Sequence, residues 1–178
     1  MGAMSCVPES SGIAAGETGL VIRPFTADDN ARLTAIWYAA SRLSHPFLPD
    51  DLLLRQRREI SEKYLPETET WVAVRNGDPV GFIGLIDQFI GGLFVSPDVQ
   101  SLGIGGRLLD HAFALKSKLA LEVYAANTRA VAFYRRHGFC GVRRRETDDN
   151  GLPHPLILMQ KPCPAGQRRF GELQNPTR

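Results

Sequence analysis

The sequence predicts a mixed α/β domain: a mostly antiparallel central sheet flanked by helices. Three observations lead there. Leu33, Ile36, Trp37 and Ala40 recur at i, i+3, i+4 and i+7, the stripe of an amphipathic helix. Residues 70–75, 80–86 and 89–95 are β-rich runs separated only by short breaks, too close for helical crossovers, so they form an antiparallel meander. After the third run, Gly103, Gly105 and Gly106 open a further helical pattern.

The elements follow in order. Residues 20–23 make a short strand ended by Pro24, and Thr26 and Asp29 have capping-box spacing ahead of the first helix. Pro46 and Pro49 break that helix before a second, highly charged one over residues 51–64. Asn76-Gly77 is a hairpin signal, with Pro79 predicting a slightly longer loop. Residues 103–118 read as a helix with Ile104, Leu108, Ala112 and Leu115 on one face. A strand over 119–125, a helix over 128–137 and a strand over 139–147 come next. Asp149-Asn150-Gly151 then turns the chain into a last strand over 155–160. The order is β-α-α-β-β-β-α-β-α-β-β.

The 178 residues suit one domain, residues 19–161, with a disordered leader over 1–18 and a disordered basic tail over 162–178. A 43% hydrophobic and 22% charged composition is that of a globular chain, and a net charge of +2 argues against a nucleic-acid partner. No run approaches the ~20 apolar residues of a membrane span. Residues 1–19 lack the basic start and apolar block of a secretory signal, so a cytoplasmic location is expected. Cys6, Cys140 and Cys163 have no CxxC spacing, which predicts neither a disulfide framework nor a metal site.

Chemistry concentrates where a strand ending at Val95 turns into the helix that opens at the glycines. The first N–H groups of a helix lack intrahelical partners and carry its positive dipole end, and glycines let backbone approach a ligand, so phosphate oxygens fit there. A Walker loop needs Lys and then Ser or Thr, but Arg107-Leu108 follows the glycines. The dinucleotide fingerprint fails at Leu108, and the preceding meander is not a parallel βαβ unit.

Gln100-x-x-Gly103-x-Gly105, preceded by Val95-x-Pro97 and followed by Leu108-Leu109, resembles the acetyl-CoA signature of the GCN5-related N-acetyltransferases (GNAT family). A second match stands at the family's spacing: Asn127-x-x-Ala130-x-x-Phe133-Tyr134, then Gly138-Phe139. Trp71-Val72-Ala73-Val74, Asp98 and Pro155-Leu156 are most similar to the small bacterial YjaB-type members. Val99 and Ser101 depart from the family, which often has an aromatic and a glycine there; neither change removes a backbone N–H.

The resemblance implies a GNAT fold, acetyl-CoA as co-substrate, no metal, and transfer of acetyl to a primary amine of a small molecule or peptide. It assigns the pyrophosphate to Gln100, Ser101, Leu102, Gly103, Ile104, Gly105 and Gly106. It sets the pantetheine arm beside Leu93, Phe94 and Val95, a ligand pairing with a strand edge. Asn127 and Phe133 resemble pantetheine contacts, Asn127 being equally suited to cap a helix. Tyr134 resembles the general acid that protonates the leaving sulfur. Many relatives carry a catalytic glutamate on the strand before the loop, but residues 89–95 hold no carboxylate. His45, Asp87 and Glu122 are the candidate bases, with a relay through water as the remaining route. Direct transfer is preferred to an acetyl-Cys140 intermediate, because no base neighbours that thiol in sequence. A non-catalytic acyl-CoA-binding module is the alternative. Monomer and homodimer are equally compatible with the sequence, and no membrane partner is expected.

Overall fold

The computed structural model describes residues 19–162; the expected leader 1–18 and the expected tail beyond Pro162 lie outside them. The strands are β1 (Leu20–Pro24), β2 (Glu69–Arg75), β3 (Asp78–Ile86), β4 (Phe89–Val95), β5 (Leu119–Tyr124), β6 (Cys140–Arg145) and β7 (Leu156–Lys161). The helices are α1 (Asn30–Ser44), α2 (Asp50–Glu59), a single turn α3 (Leu65–Glu67), α4 (Ile104–Lys116) and α5 (Thr128–Arg136). One seven-stranded sheet runs in the order β1-β2-β3-β4-β5-β7-β6. Every neighbouring pair is antiparallel except β4 and β5, which are parallel.

Strand alternation divides the core in two. Val72 and Phe82 face α1 and α2, joining Leu33, Ile36, Leu53 and Leu65. Ala73 and Ile83, their sequence neighbours, face the other way and meet Leu108, Leu109 and Ala112 of α4 and Val131 of α5. Phe82 and Leu108 are fully buried, and each such side chain contributes about 2–3 kcal/mol by leaving water. The start of α1 is pinned to β1 by a bidentate ion pair, Arg23 Nη1 and Nη2 to Asp29 at 2.7 and 2.8 Å. Asp29 Oδ2 also accepts from Thr26 N at 2.9 Å, the carboxylate half of the expected capping box. The Arg23 guanidinium holds the Asp29 carboxyl down at about 2, against the opposing pull of burial.

Two expectations need correction. The β2–β3 loop is not lengthened by Pro79. Asn76 and Gly77 form a two-residue turn with φ of 53° and 88°, the backbone of a type I′ hairpin. Pro79 is absorbed instead by a bulge: Ala73 pairs with Gly81 and Val74 with Pro79, leaving Val80 over. The second helix is not continuous over 51–64. After Glu59 the chain winds more widely through a π segment, Ile60–Tyr64, before α3. The sheet order also holds something the element order leaves open: β7 inserts between β5 and β6.

The feature that positions the site is a split in the sheet. β4 and β5 pair only at Phe89↔Ala120 and Ile90↔Leu121. Immediately beyond, Gly92 pairs with Gly84 and Ile90 with Leu85, so Gly91 is the extra residue of a bulge. The bulge bends β4 away from β5, and from Gly91 to Val95 the side of β4 turned from β3 has no strand beside it among the described residues.

Candidate active site

The split opens into a cleft of about 810 Å³ between α1 and α2 on one side and α4 and α5 on the other, within the range of small-ligand sites. At one end lies the start of α4. Gly103 takes φ of +78° and Ser101 φ of +70°, so the chain enters the helix through two left-handed residues. The first intrahelical bond runs from Arg107 N to Gly103 O at 3.1 Å, which leaves the N–H groups of Ile104, Gly105 and Gly106 without a partner from the helix. Gln100 is tied by its side chain, Nε2 donating to Val95 O at 3.1 Å, and its N–H meets Pro97 O at 3.4 Å. The Ser101 hydroxyl accepts from Arg129 Nη2 at 3.4 Å.

Two glycines keep this end open. A Cβ on Gly105 would stand 3.2 Å from the Phe133 ring and 3.5 Å from Leu93 Cδ2, and one on Gly106 would stand 2.8 Å from His137 Nε2. Phe133 belongs to α5 and His137 caps its C-terminus, and the His137 ring is held by Nδ1 against Phe133 O at 2.9 Å. Asn127 caps α5, its side-chain oxygen accepting from Ala130 N at 3.1 Å. Leu93, Phe94, Val95, Gln100, Ser101, Gly103 to Gly106, Asn127, Phe133 and Tyr134 all line the cleft. Leu102 does not: its side chain is 57% exposed, on the far side of the turn.

At the middle of the cleft Tyr134 is 8% exposed, its ring edge-on to Phe133 and Phe139 with centroids 5.2 and 5.5 Å away. Burial pushes its hydroxyl well above the ordinary phenol range, so it holds its proton at neutral pH.

The base candidates separate. Asp87 sits in the exposed turn between β3 and β4, with φ of 53°, outside the cleft lining; it serves the hairpin. Glu122 lines the cleft but is committed to Arg145, with Oε2 to Nη2 at 2.7 Å and Oε1 to Nε at 3.2 Å, and Arg145 also binds Asp149 at 2.6 Å. His45 lines the cleft beside Phe47 and Tyr124. Burial pushes its imidazole down to about 4, some six units below an alkyl ammonium, so it can accept a hydrogen bond but is a poor store for the amine's proton. Cys140 is buried, its Sγ 3.7 Å from Gln160 O, and is not among the cleft residues.

Sequence reasoning missed three cleft residues. Tyr124 gathers His45, Phe47 and His154 edge-on at the mouth, with centroids 5.0, 5.2 and 6.3 Å away. Glu59 lines the same wall and makes no ion pair among the described residues. Tyr64, at the end of the π segment, reaches the split itself. For Tyr64 the 56-60-64 spacing was a signal, but periodicity cannot foresee the π turn that carries it to the split.

Helix amides without an intrahelical partner, an open strand edge leading away from them and a buried phenol line one cleft, the arrangement that acyl transfer from a phosphate-bearing thioester needs. An acetyltransferase (GNAT) domain model matches residues 66–140. Peptidyl-lysine N-acetyltransferase YjaB of Salmonella typhimurium is 38% identical over 142 residues, 79% of this chain and 97% of that protein. The Escherichia coli YjaB is 36% identical over 137 residues, 76% and 92% of the two chains. Its apo solution structure superposes with a TM-score of 0.73 over 79% of this chain and 96% of that one, at 34% identity. A Thermoplasma acidophilum PaiA N-acetyltransferase in complex with coenzyme A shares the fold, with a TM-score of 0.67 at 20% identity over 80% and 98% of the chains. The chain belongs to the GNAT family of acetyltransferases. Within it, the chain is closely related to the small bacterial YjaB-type members.

The residues present fit coenzyme A. A Cβ at Gly105 or Gly106 would crowd the space the glycines leave, the helix amides suit a diphosphate, and the open β4 edge suits an amide-bearing arm. Among the described residues no group of His, Cys, Asp and Glu side chains is placed to hold a metal ion, and no helix is long and apolar enough to cross a membrane.

Proposed function

We propose that the protein is an acetyl-CoA-dependent N-acetyltransferase that acetylates a primary amine, a lysine-like side chain of a peptide or a small molecule, by direct transfer within one ternary complex. The observation that carries this reading is the strand edge 91–95, open between the α4 amides at one end and Tyr134 beside it. The YjaB relatives, named for acetylating peptidyl-lysine, support an amine acceptor.

Acetyl-CoA supplies an activated acetyl thioester. The chain supplies the rest. The amides of Ile104, Gly105 and Gly106 bind the diphosphate, and the outward amides of β4 orient the arm and polarise the carbonyl, as oxyanion donors do. Tyr134 donates its O–H toward the leaving sulfur. A free phenol is already about 1.5 units less acidic than a thiol, and burial widens that gap, so Tyr134 stabilises the sulfur as a donor. The net proton comes through water from the acceptor nitrogen, which becomes cationic as it bonds the carbonyl carbon and loses that proton as the C–S bond breaks. Holding both reactants in one cleft replaces covalent catalysis, since proximity contributes up to roughly 7–11 kcal/mol. With Glu122 ion-paired and His45 weakly basic, the neutral amine is drawn from bulk, where about one lysine-like amine in ~10³ is neutral at pH 7.4.

The test is thiol release from acetyl-CoA with lysine peptides and small amines. The reading expects turnover whose kcat/KM rises about tenfold per pH unit below the acceptor's pKa. It also expects Tyr134→Phe to lower kcat by about 10- to 100-fold at nearly unchanged coenzyme A affinity. Tight coenzyme A binding with no turnover on any amine would instead identify an acyl-CoA-binding module.

A further inference from the structure

Tyr64 lies outside the two sequence motifs, yet the structure gives its ring a fitted seat at the point where the sheet splits. The ring rests in a notch made by two glycines. A Cβ on Gly84 would come within 2.7 Å of Tyr64 Cε1, and one on Gly91 within 2.9 Å of Cε2. Gly91 is the bulge residue at which β4 leaves β5, and Gly84 pairs with its neighbour Gly92. Only glycine at both positions admits an aromatic ring here without displacing it.

The segment that delivers Tyr64 is anchored on both sides. Within the π turn, Ser61 Oγ donates to Asn30 Oδ1 at 2.7 Å and Asn30 Nδ2 donates to Ser61 O at 2.9 Å. After it, Thr68 Oγ1 and Thr68 N both donate to Tyr64 O, at 2.7 and 3.0 Å. The phenol donates to Gly84 O at 3.3 Å. A tyrosine oxygen has one proton and two lone pairs, so its donor is spent and its acceptor capacity remains. Burial, with a smaller contribution from the Tyr134 hydroxyl, pushes Tyr64 well above the ordinary phenol range, so it stays a neutral acceptor. Tyr64 and Tyr134 both line the cleft.

We propose that Tyr64 positions the acceptor: its oxygen, oriented by Gly84 O, accepts a hydrogen bond from the amine N–H and holds the nitrogen at the apex of the β4–β5 split, opposite Tyr134. This rests on the acetyl-transfer reading and adds to it the group that seats the nucleophile. A primary amine keeps an N–H for Tyr64 while its lone pair points at the carbonyl.

Tyr64→Phe keeps the ring over the two glycines and removes the oxygen, whereas Tyr64→Leu removes both. Each variant is compared with the unaltered protein for coenzyme A affinity, Tm, and kcat and KM for a lysine peptide. The expected result is that Phe restores the Tm that Leu loses but not the turnover. kcat/KM falls about tenfold in both variants, the size of one hydrogen bond, with coenzyme A affinity unchanged. A purely structural role predicts that Phe restores kcat/KM as well, and that result overturns the proposal while leaving acetyl transfer standing. No transfer by the unaltered protein to any amine removes both readings.

Discussion

At the scale of single residues, His45 shows how burial changes what a side chain can do. The loop placed it among aromatic rings at the cleft mouth, and desolvation moved its pKa to about 4. The sign follows from linkage. Between about pH 4 and 6.5 the unfolded chain binds a proton at this position that the folded chain does not, so stability falls as pH drops through that window. The loss is at most about 3 kcal/mol when complete, less to the extent that solvent reaches the ring. Denaturant melts of the protein and of His45→Gln, from pH 7 to pH 4, are expected to converge as pH falls, the variant lacking this part of the slope. Parallel curves would mean that His45 is solvated and available as a base. The motif residues were legible from sequence because their role is backbone geometry at a helix start, which spacing encodes. The fate of Glu122 was not, because its partner Arg145 lies on β6, two strands away in the sheet with β7 between.

At the scale of elements, most helices and strands announced themselves by period and by glycine or proline punctuation. What escaped was non-local. Pro79 looked like a loop extender because a proline removes a ladder bond, but a bulge beside it does that work inside β3. The insertion of β7 between β5 and β6 depends on tertiary pairing that local pattern does not record. The π segment that brings Tyr64 to the cleft leaves no sign in a helical repeat. The start of α4 and the cap of α5 serve different ends, and substitution separates them. Asn127→Ala removes the cap bond to Ala130 N and is expected to cost about 1 kcal/mol of stability. Gly105→Ala raises helix propensity but sets a methyl against Phe133. It is expected to weaken coenzyme A binding by several-fold without lowering Tm by more than about 2 °C. Calorimetry and thermal melts on the two variants check both. A Gly105→Ala protein with full affinity would remove the glycine cradle from the binding site.

At the scale of the whole molecule, the two cores act as clamps on either side of one imperfect sheet. The α1–α2 layer closes one face and α4–α5 the other, so among the described residues the one strand edge left inside the sheet is that from which β5 departs. The edge persists because β5 is held on its far side by a full ladder to β7, from Leu119↔Lys161 to Tyr124↔Leu156, and cannot swing back. An open interior edge with outward amides is a cost to a fold unless a ligand completes it. Amide hydrogen exchange read residue by residue, with and without coenzyme A, measures that completion. The prediction is protection of the outward amides between Gly91 and Val95 together with those of Ile104, Gly105 and Gly106, while the α1–α2 core exchanges as before. Coenzyme A that leaves both groups of amides exchanging at their free rates would contradict the assignment of this cleft.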